Sequence, residues 1–129
     1  MPIEFYCDHE RRIVFARAKG ILTDEEVFSY QKEVWSREDT IGYDEVIDMS
    51  GVEIIASKSG DRMRDLATLS ASMDSRSSRT KFAIVAPDDL AYGMGRMYET
   101  YRTMDERSTR EVAVFRGMEE AMAWIDQNR

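Results

Sequence analysis

The residues best suited to recognition or chemistry form a polar segment in the middle of the chain. Asp48 and Ser50 lie at the end of a short apolar run, and a second polar group follows the next apolar piece at Ser57, Lys58, Ser59 and Gly60. Serines at a helix start can accept a phosphoryl group or help to bind an anion, because the first backbone N–H groups of a helix are unpaired. The same serines can instead cap the helix, which is worth about 1 kcal/mol. An aspartate at a strand end usually accepts N–H groups of the following turn.

A second candidate site is an apolar stripe on the third predicted helix. Methionine and tyrosine recur there at helical spacing, and both suit adaptable binding surfaces. The residues proposed to line a ligand groove are Met94, Met97, Tyr98 and Tyr101, and the stripe extends to Leu90 and Met104. The stripe can equally be the face that packs on the sheet. Gly95 is placed on the opposite face. Gly93 and Gly95 each cost roughly 1 kcal/mol of helix stability relative to alanine, and their presence indicates close approach by another backbone or a ligand.

Familiar catalytic and metal-binding signatures are missing from the sequence. Cys7 is the only cysteine and His9 the only histidine, so one chain has neither a disulfide framework nor a Cys/His zinc site. The acid pairs at residues 88–89 and 119–120 are explained as charges at helix starts. The GMG segment at residues 93–95 lacks the spacing of a phosphate-binding loop. We therefore expect no enzymatic activity and no metal or cofactor.

The composition is that of an acidic protein of single-domain size. The chain has 129 residues, 43% of them hydrophobic, and a formal net charge of −7. A chain of this length buries roughly two thirds of its unfolded surface. The negative charge argues against binding to nucleic acid or to anionic membranes. No stretch has the length of a membrane span and no signal peptide is recognisable, so we expect one cytoplasmic domain spanning residues 1–129.

Hydrophobic periodicity predicts the order β-β-α-β-α-β-α-β-α. The predicted strands are residues 3–7, 13–19, 45–49, 82–86 and 111–115. Ser50-Gly51 is expected to end the third strand, with a shorter apolar piece after it. Thr23 and Glu26 form a capping box at the first helix. Strands joined by helices should be parallel. The sequence therefore predicts an α/β fold with a mixed five-stranded sheet, in which the first strand is antiparallel, and four helices.

The element order and three segments resemble the SpoIIAA-like proteins of bacteria. The segments are GILTDEE, YDEVIDMSGV and FAIVAPDDLAYGMGRMYE. These proteins are compared with STAS domains and with CRAL-TRIO lipid-binding domains and are mostly of unknown function. The resemblance implies a STAS-like fold over nearly the whole chain. It also places the STAS phosphoacceptor within residues 57–60. Alignment on Ser59-Gly60 puts Lys58 at the position of the phosphorylated serine, whereas a shift by one residue recovers Ser57 but loses the glycine register, so the motif is degraded in either alignment.

Two functions follow as alternatives. The first is a non-catalytic regulatory module for protein–protein interaction that resembles the STAS anti-sigma factor antagonists, with residues 48–60 and the adjoining helix face as its contact surface. The second is a carrier of a small molecule or lipid that uses the apolar stripe of the third helix. We also expect a homodimer, with Tyr92, Arg96 and Glu99 in a small symmetric interface.

Overall fold

The computed structural model describes residues 3–56, 60–74 and 79–127, and its five strands form one mixed sheet. The strands are β1 (Ile3–Asp8), β2 (Ile13–Thr23), β3 (Asp44–Ala56), β4 (Thr80–Val85) and β5 (Arg110–Phe115). The helices are α1 (Asp24–Trp35), α2 (Gly60–Met73), α3 (Asp89–Met104) and α4 (Met118–Ile125), and a 3-10 turn covers Glu38–Thr40. The predicted α/β class, the mixed five-stranded sheet and the four helices are confirmed.

The strands lie side by side in the order in which they occur along the chain. β1 is antiparallel to β2, and every other neighbouring pair is parallel. Because right-handed crossovers that always step in one direction place their helices on one face, α1, α2 and α3 share a face. Their buried residues form one core with the sheet, whereas Ala121 and Ile125 of α4 pack on the other face. The strand order does not reverse, so the sheet lacks the switch point at which doubly wound folds open a ligand crevice.

Local sequence signals set the helix starts. The Glu26 backbone N–H donates to Thr23 Oγ1 at 3.3 Å, and the Thr23 N–H donates to Glu26 Oε2 at 3.5 Å, which is the predicted capping box. Asp88 caps α3, because its Oδ1 accepts the N–H groups of Leu90 and Ala91 at 2.8 and 3.2 Å. These acidic side chains therefore complete the unpaired first turns of helices.

The predicted end of β3 at Ser50-Gly51 is wrong. β3 is 13 residues long and ends at Ala56, because β2 is also longer than predicted and pairs with it as far as the Thr23–Ala56 register pair. The register between the two strands shifts between Arg17 and Lys19 and again between Gly20 and Ile21, where β3 contains extra residues, and Gly20 adopts a φ of +71° there.

The predicted apolar stripe does not coincide with the buried face of α3. The buried residues of this helix are Ala91, Gly95, Tyr98 and Arg102. Leu90 and Met104 are 59% and 73% exposed. Gly95, which was placed on the far face, lies against the sheet, and a Cβ there would stand 3.1 Å from Val114 Cγ1. The helix packs through Ala91 and Gly95 as well as through Tyr98, so the predicted stripe marks the core only in part.

Two glycine substitutions in α3 test this packing. Gly93 is exposed and a Cβ added to it would meet nothing within 4 Å, so Gly93→Ala should raise the free energy of unfolding by about 0.5–1 kcal/mol. Gly95→Val should lower it by about 1–3 kcal/mol, because the added atoms overlap the Val114 side chain. Urea denaturation measures both changes. Equal effects of the two substitutions would contradict the close approach at Gly95.

Candidate functional site

Asp48 and Ser50 lie within strand β3 and not in a loop. Asp48 pairs in register with Val85, the last residue of β4, so it stands where the central sheet ends. Its Oδ1 accepts the N–H of Ser50 at 2.9 Å, which is the usual role of an aspartate at this kind of position. Ser57, Lys58 and Ser59 lie outside the described residues, and Gly60 is the first residue of α2. The phosphoacceptor assignment stays a prediction.

Beyond Asp48 the two longest strands continue as a two-stranded arm, formed by residues 19–23 of β2 and 49–56 of β3. Within the described ranges, β1 pairs with β2 only as far as Ala18, and β4 pairs with β3 only as far as Asp48. Both outer edges of the arm therefore lack a neighbouring strand in that part of the chain. An unpaired strand edge presents N–H and C=O groups that can bind a further strand.

The two faces of the arm differ in exposure. Leu22 and Val52 are 5% and 8% exposed and belong to the core beneath α1 and α2. On the outer face Ile21 and Ile54 are register partners, and each is 54% exposed. Glu53 beside them is also exposed. The arm is thus fixed by its inner face and presents an apolar pair and an acid to solvent.

A buried ionic network lies at the amino-terminal ends of the parallel strands, at the opposite end of the sheet from the arm. Asp74 Oδ2 accepts Arg102 Nη2 at 2.6 Å, and both side chains are at most 1% exposed. The same oxygen accepts the backbone N–H groups of Thr109 and Arg110 at 2.7 and 3.2 Å. Arg102 Nη1 donates to the Tyr98 hydroxyl at 2.7 Å. The network ties the ends of α2 and α3 to the start of β5.

A second buried acid, Glu45, stands next to this network at the start of β3. The Tyr30 hydroxyl donates to its Oε2 at 2.5 Å, and Arg110 Nη1 lies 3.8 Å from its Oε1. Burial raises the pKa of Glu45, while Arg110 and the Tyr30 hydrogen bond oppose the rise. The Trp35 indole N–H opposes it as well, although it lies outside standard hydrogen-bond geometry with the carboxylate.

A polar cavity of about 70 Å³ adjoins these groups. Among its lining residues, Trp35, Asp74 and Arg110 each have a buried polar atom without a hydrogen-bond partner, namely Nε1, Oδ1 and Nε. A cavity of this size has room for ordered water, and its unpaired polar groups supply the hydrogen bonds that a buried water needs. The cavity and the buried charges around it hold the neighbouring elements in place, and we interpret this region as structural.

The described residues offer little support for catalysis. No three of their His, Cys, Asp and Glu side chains are grouped so as to hold a metal ion. The His9 ring nitrogen Nδ1 is 2.7 Å from the Tyr43 hydroxyl, on the surface. Burial raises the pKa of the Cys7 thiol, which is opposite to the shift that activates a nucleophile. None of the helices within these ranges combines the length and apolarity needed to cross a bilayer.

The residues of the predicted ligand groove separate in the structure. Met94 and Tyr98 line an apolar cavity of about 100 Å³ between the sheet and helices α1, α2 and α3. Met97 is 39% exposed and does not line this cavity, and neither does Tyr101, whose ring carries the Arg64 guanidinium 5.3 Å above its centre. Gln31 of α1 also lines the cavity.

The surface predicted for self-association is engaged within the chain. Arg96 Nη1 and Glu99 Oε1 form an ion pair at 2.9 Å, and the Arg116 guanidinium stands 4.0 Å from the centre of the Tyr92 ring. These contacts give the three side chains intramolecular partners. The homodimer stays a prediction.

The sheet order and the helix positions define a SpoIIAA-like, STAS-like α/β fold. The chain is similar to the crystal structure of an uncharacterized protein of the DUF3478 family with a SpoIIAA-like fold from Shewanella loihica PV-4. The two are 15% identical with a TM-score of 0.61, over 95% of this chain and 93% of the other. At this identity the similarity shows the fold, and the resemblance seen in the sequence is confirmed at that level. No family model and no curated protein matches the chain.

The buried Glu45 predicts a pH dependence of stability. Because burial raises the pKa of Glu45 in the folded protein above its ordinary value of 4.5, the folded state holds the proton more tightly, and the contribution of Glu45 to stability falls as pH rises above about 4.5. Glu45→Gln cannot lose a proton. As pH rises from 4.5 to 7.5, its free energy of unfolding, measured by urea denaturation, should therefore increase relative to that of the wild type. Glu53→Gln is the control for removing one charge from β3, and a pH-independent difference for Glu45→Gln would contradict the assignment.

Proposed function

We propose that the protein is a non-catalytic interaction module that binds a partner protein through the β2–β3 arm. The observation that carries this proposal is the exposed pair Ile21 and Ile54 beside an edge of β3 that has no strand partner in the described ranges. Natural proteins usually cover or charge such edges, because an exposed apolar edge recruits other strands. A partner that binds here would supply the cover.

The arm suits binding by strand addition. Its inner residues Leu22 and Val52 are buried against the helices, so the free edge is held in an extended form before a partner arrives. An added strand gains affinity from main-chain hydrogen bonds and specificity from alternate side chains. Because the edge is already ordered, little conformational entropy is lost on the side of this protein.

The side chains around the arm indicate the chemistry of the partner. Ile21 and Ile54 require an apolar side chain, while Glu53 and Asp48 favour a positive one. The chain as a whole carries a net charge of −7. The occupant that fits is an extended segment with alternating apolar and basic residues, steered by charge and held by the edge. A regulatory role would act at residues 57–59, which connect the arm to α2.

A site-specific crosslinking experiment tests the proposal. A photoreactive amino acid is placed at Ile21, at Ile54 or at Ile41, and the full chain is irradiated in its host cells. Ile41 is the matched control, because it is 58% exposed and lies in the loop after the 3-10 turn. We expect one adduct of the same mass from Ile21 and Ile54 and its absence from Ile41. With the probe at Ile21, Ile54→Lys should reduce the adduct by roughly tenfold or more, because it puts a charge into the apolar contact and repels basic side chains.

Two results would contradict this function. The first is the same adduct from Ile41, which would indicate nonspecific contact. The second is an adduct of twice the chain mass, which would show that a second copy of the chain occupies the arm. Exchange of the arm amides in a complex rebuilt from the identified partner then checks strand addition, since the β3 edge should become protected.

A further inference from the structure

We infer that the apolar cavity beneath α1, α2 and α3 binds a compact apolar molecule with one hydrogen-bond-accepting oxygen, and that the Gln31 side-chain amide recognises this oxygen. The site lies between the sheet and these helices and is separate from the outer face of the arm.

The walls of the cavity are almost entirely apolar. Ile47 and Ile84 contribute from the sheet, and Leu66 and Met94 from two of the helices. Protein cores seldom leave voids larger than a water molecule, whereas this space measures about 100 Å³. An apolar cavity of such a size tends to exclude water and to accept apolar molecules.

Gln31 is the feature that points to a ligand. The residue is 4% exposed, it lines the cavity, and its Nε2 has no hydrogen-bond partner among the described residues. A buried amide group is unfavourable unless it is paired, and most such groups in native proteins are paired. The donor is therefore left for a group that enters the cavity.

Water is a poor partner for this amide. A buried water needs two to four polar contacts, and the two tyrosine hydroxyls near the cavity already donate their protons to other groups. Tyr30 donates to Glu45, and Tyr98 donates to Ser70 while it accepts Arg102 Nη1. An oxygen on an otherwise apolar ligand satisfies the Gln31 donor and leaves the apolar walls in contact with carbon atoms.

The volume of the cavity limits the ligand to a compact molecule, about the size of a small ring compound. A neighbouring space of about 60 Å³ shares Leu22, Val27, Met63, Leu66 and Met94 with the cavity. The two spaces together are comparable to the roughly 150 Å³ of an engineered cavity that binds benzene. A long acyl chain does not fit, so the lipid-carrier alternative is replaced by a compact ketone, aldehyde or ester.

The smaller space marks a route to solvent between α1 and α2. It extends to Arg62, whose side chain is 41% exposed, whose Nε lies 3.4 Å from Asp24 Oδ2 and whose guanidinium covers the Phe28 ring. Met63 and Met94 are flexible side chains between this surface and the interior. A small molecule can thus pass without separating the helices from the sheet.

The test compares two probes of the same shape, cyclohexanone and methylenecyclohexane, by NMR of the full chain. Methyl signals of Ile47 and Ile84 report occupancy, and the Gln31 side-chain amide signals report the hydrogen bond. We expect saturable shifts with both probes, movement of the Gln31 signals with the ketone alone, and binding of the ketone about five- to tenfold more tightly. In Gln31→Leu the preference for the ketone should vanish, while the hydrocarbon still binds.

Two controls keep the result interpretable. Gln31→Met replaces Gln31→Leu if the branched side chain prevents folding, and Gln127→Leu makes the same exchange at an exposed position and should keep the ketone preference. An absence of saturable shifts with either probe would overturn the site. Equal affinity of the wild type for the two probes, or an unchanged ketone preference in Gln31→Leu, would overturn the role of Gln31.

Discussion

The structure depends on one buried carboxylate. Asp74, at the end of α2, accepts Arg102 from α3 and the backbone at the start of β5 through a single oxygen. Removing charges from water is costly, and such a pair is stable only when further hydrogen bonds satisfy its members, as those of Tyr98 and Ser108 do here. Three elements that are distant in the sequence are thereby fixed at the amino-terminal edge of the sheet. At the opposite end of the sheet, β2 and β3 extend beyond their neighbouring strands and form the arm that we propose as the binding site.

Sheet topology explains why the two proposed sites lie where they do. The strands follow one another without reversal, so three helices cover one face, and the cavity forms beneath them instead of at a switch point. β2 and β3 outrun their neighbours, and this difference in length creates the arm. The two sites share a wall, because Leu22 of the arm also lines the cavity. Ile21, the exposed residue of the arm, is its immediate neighbour in the sequence.

Local signals predicted much of the fold, and contacts between distant segments explain what they missed. The capping box at Thr23 and the apolar run of β4 act over a few residues, so both could be found in the sequence. The length of β3 depends on its register with β2, which no local pattern shows. Arg102 has no predicted role, because charged residues are usually exposed, although it follows Tyr98 by four residues and therefore lies on the same helix face. The unpaired amide of Gln31 could not be found in the sequence, because the cavity that surrounds it is formed by segments that are distant along the chain.

Hydrogen exchange of the isolated protein tests the central claim, which is that β3 has a closed half held by the network and an open half formed by the arm. Residues 45–48 lie between two strands, whereas residues 51–56 have a strand on one side in the described ranges. We expect arm amides that do not pair with β2 to exchange on the order of a hundredfold or more faster than amides of residues 45–48, which should open only with global unfolding. Uniform protection along β3 would contradict the account, because the edge proposed to receive a partner would then already be covered.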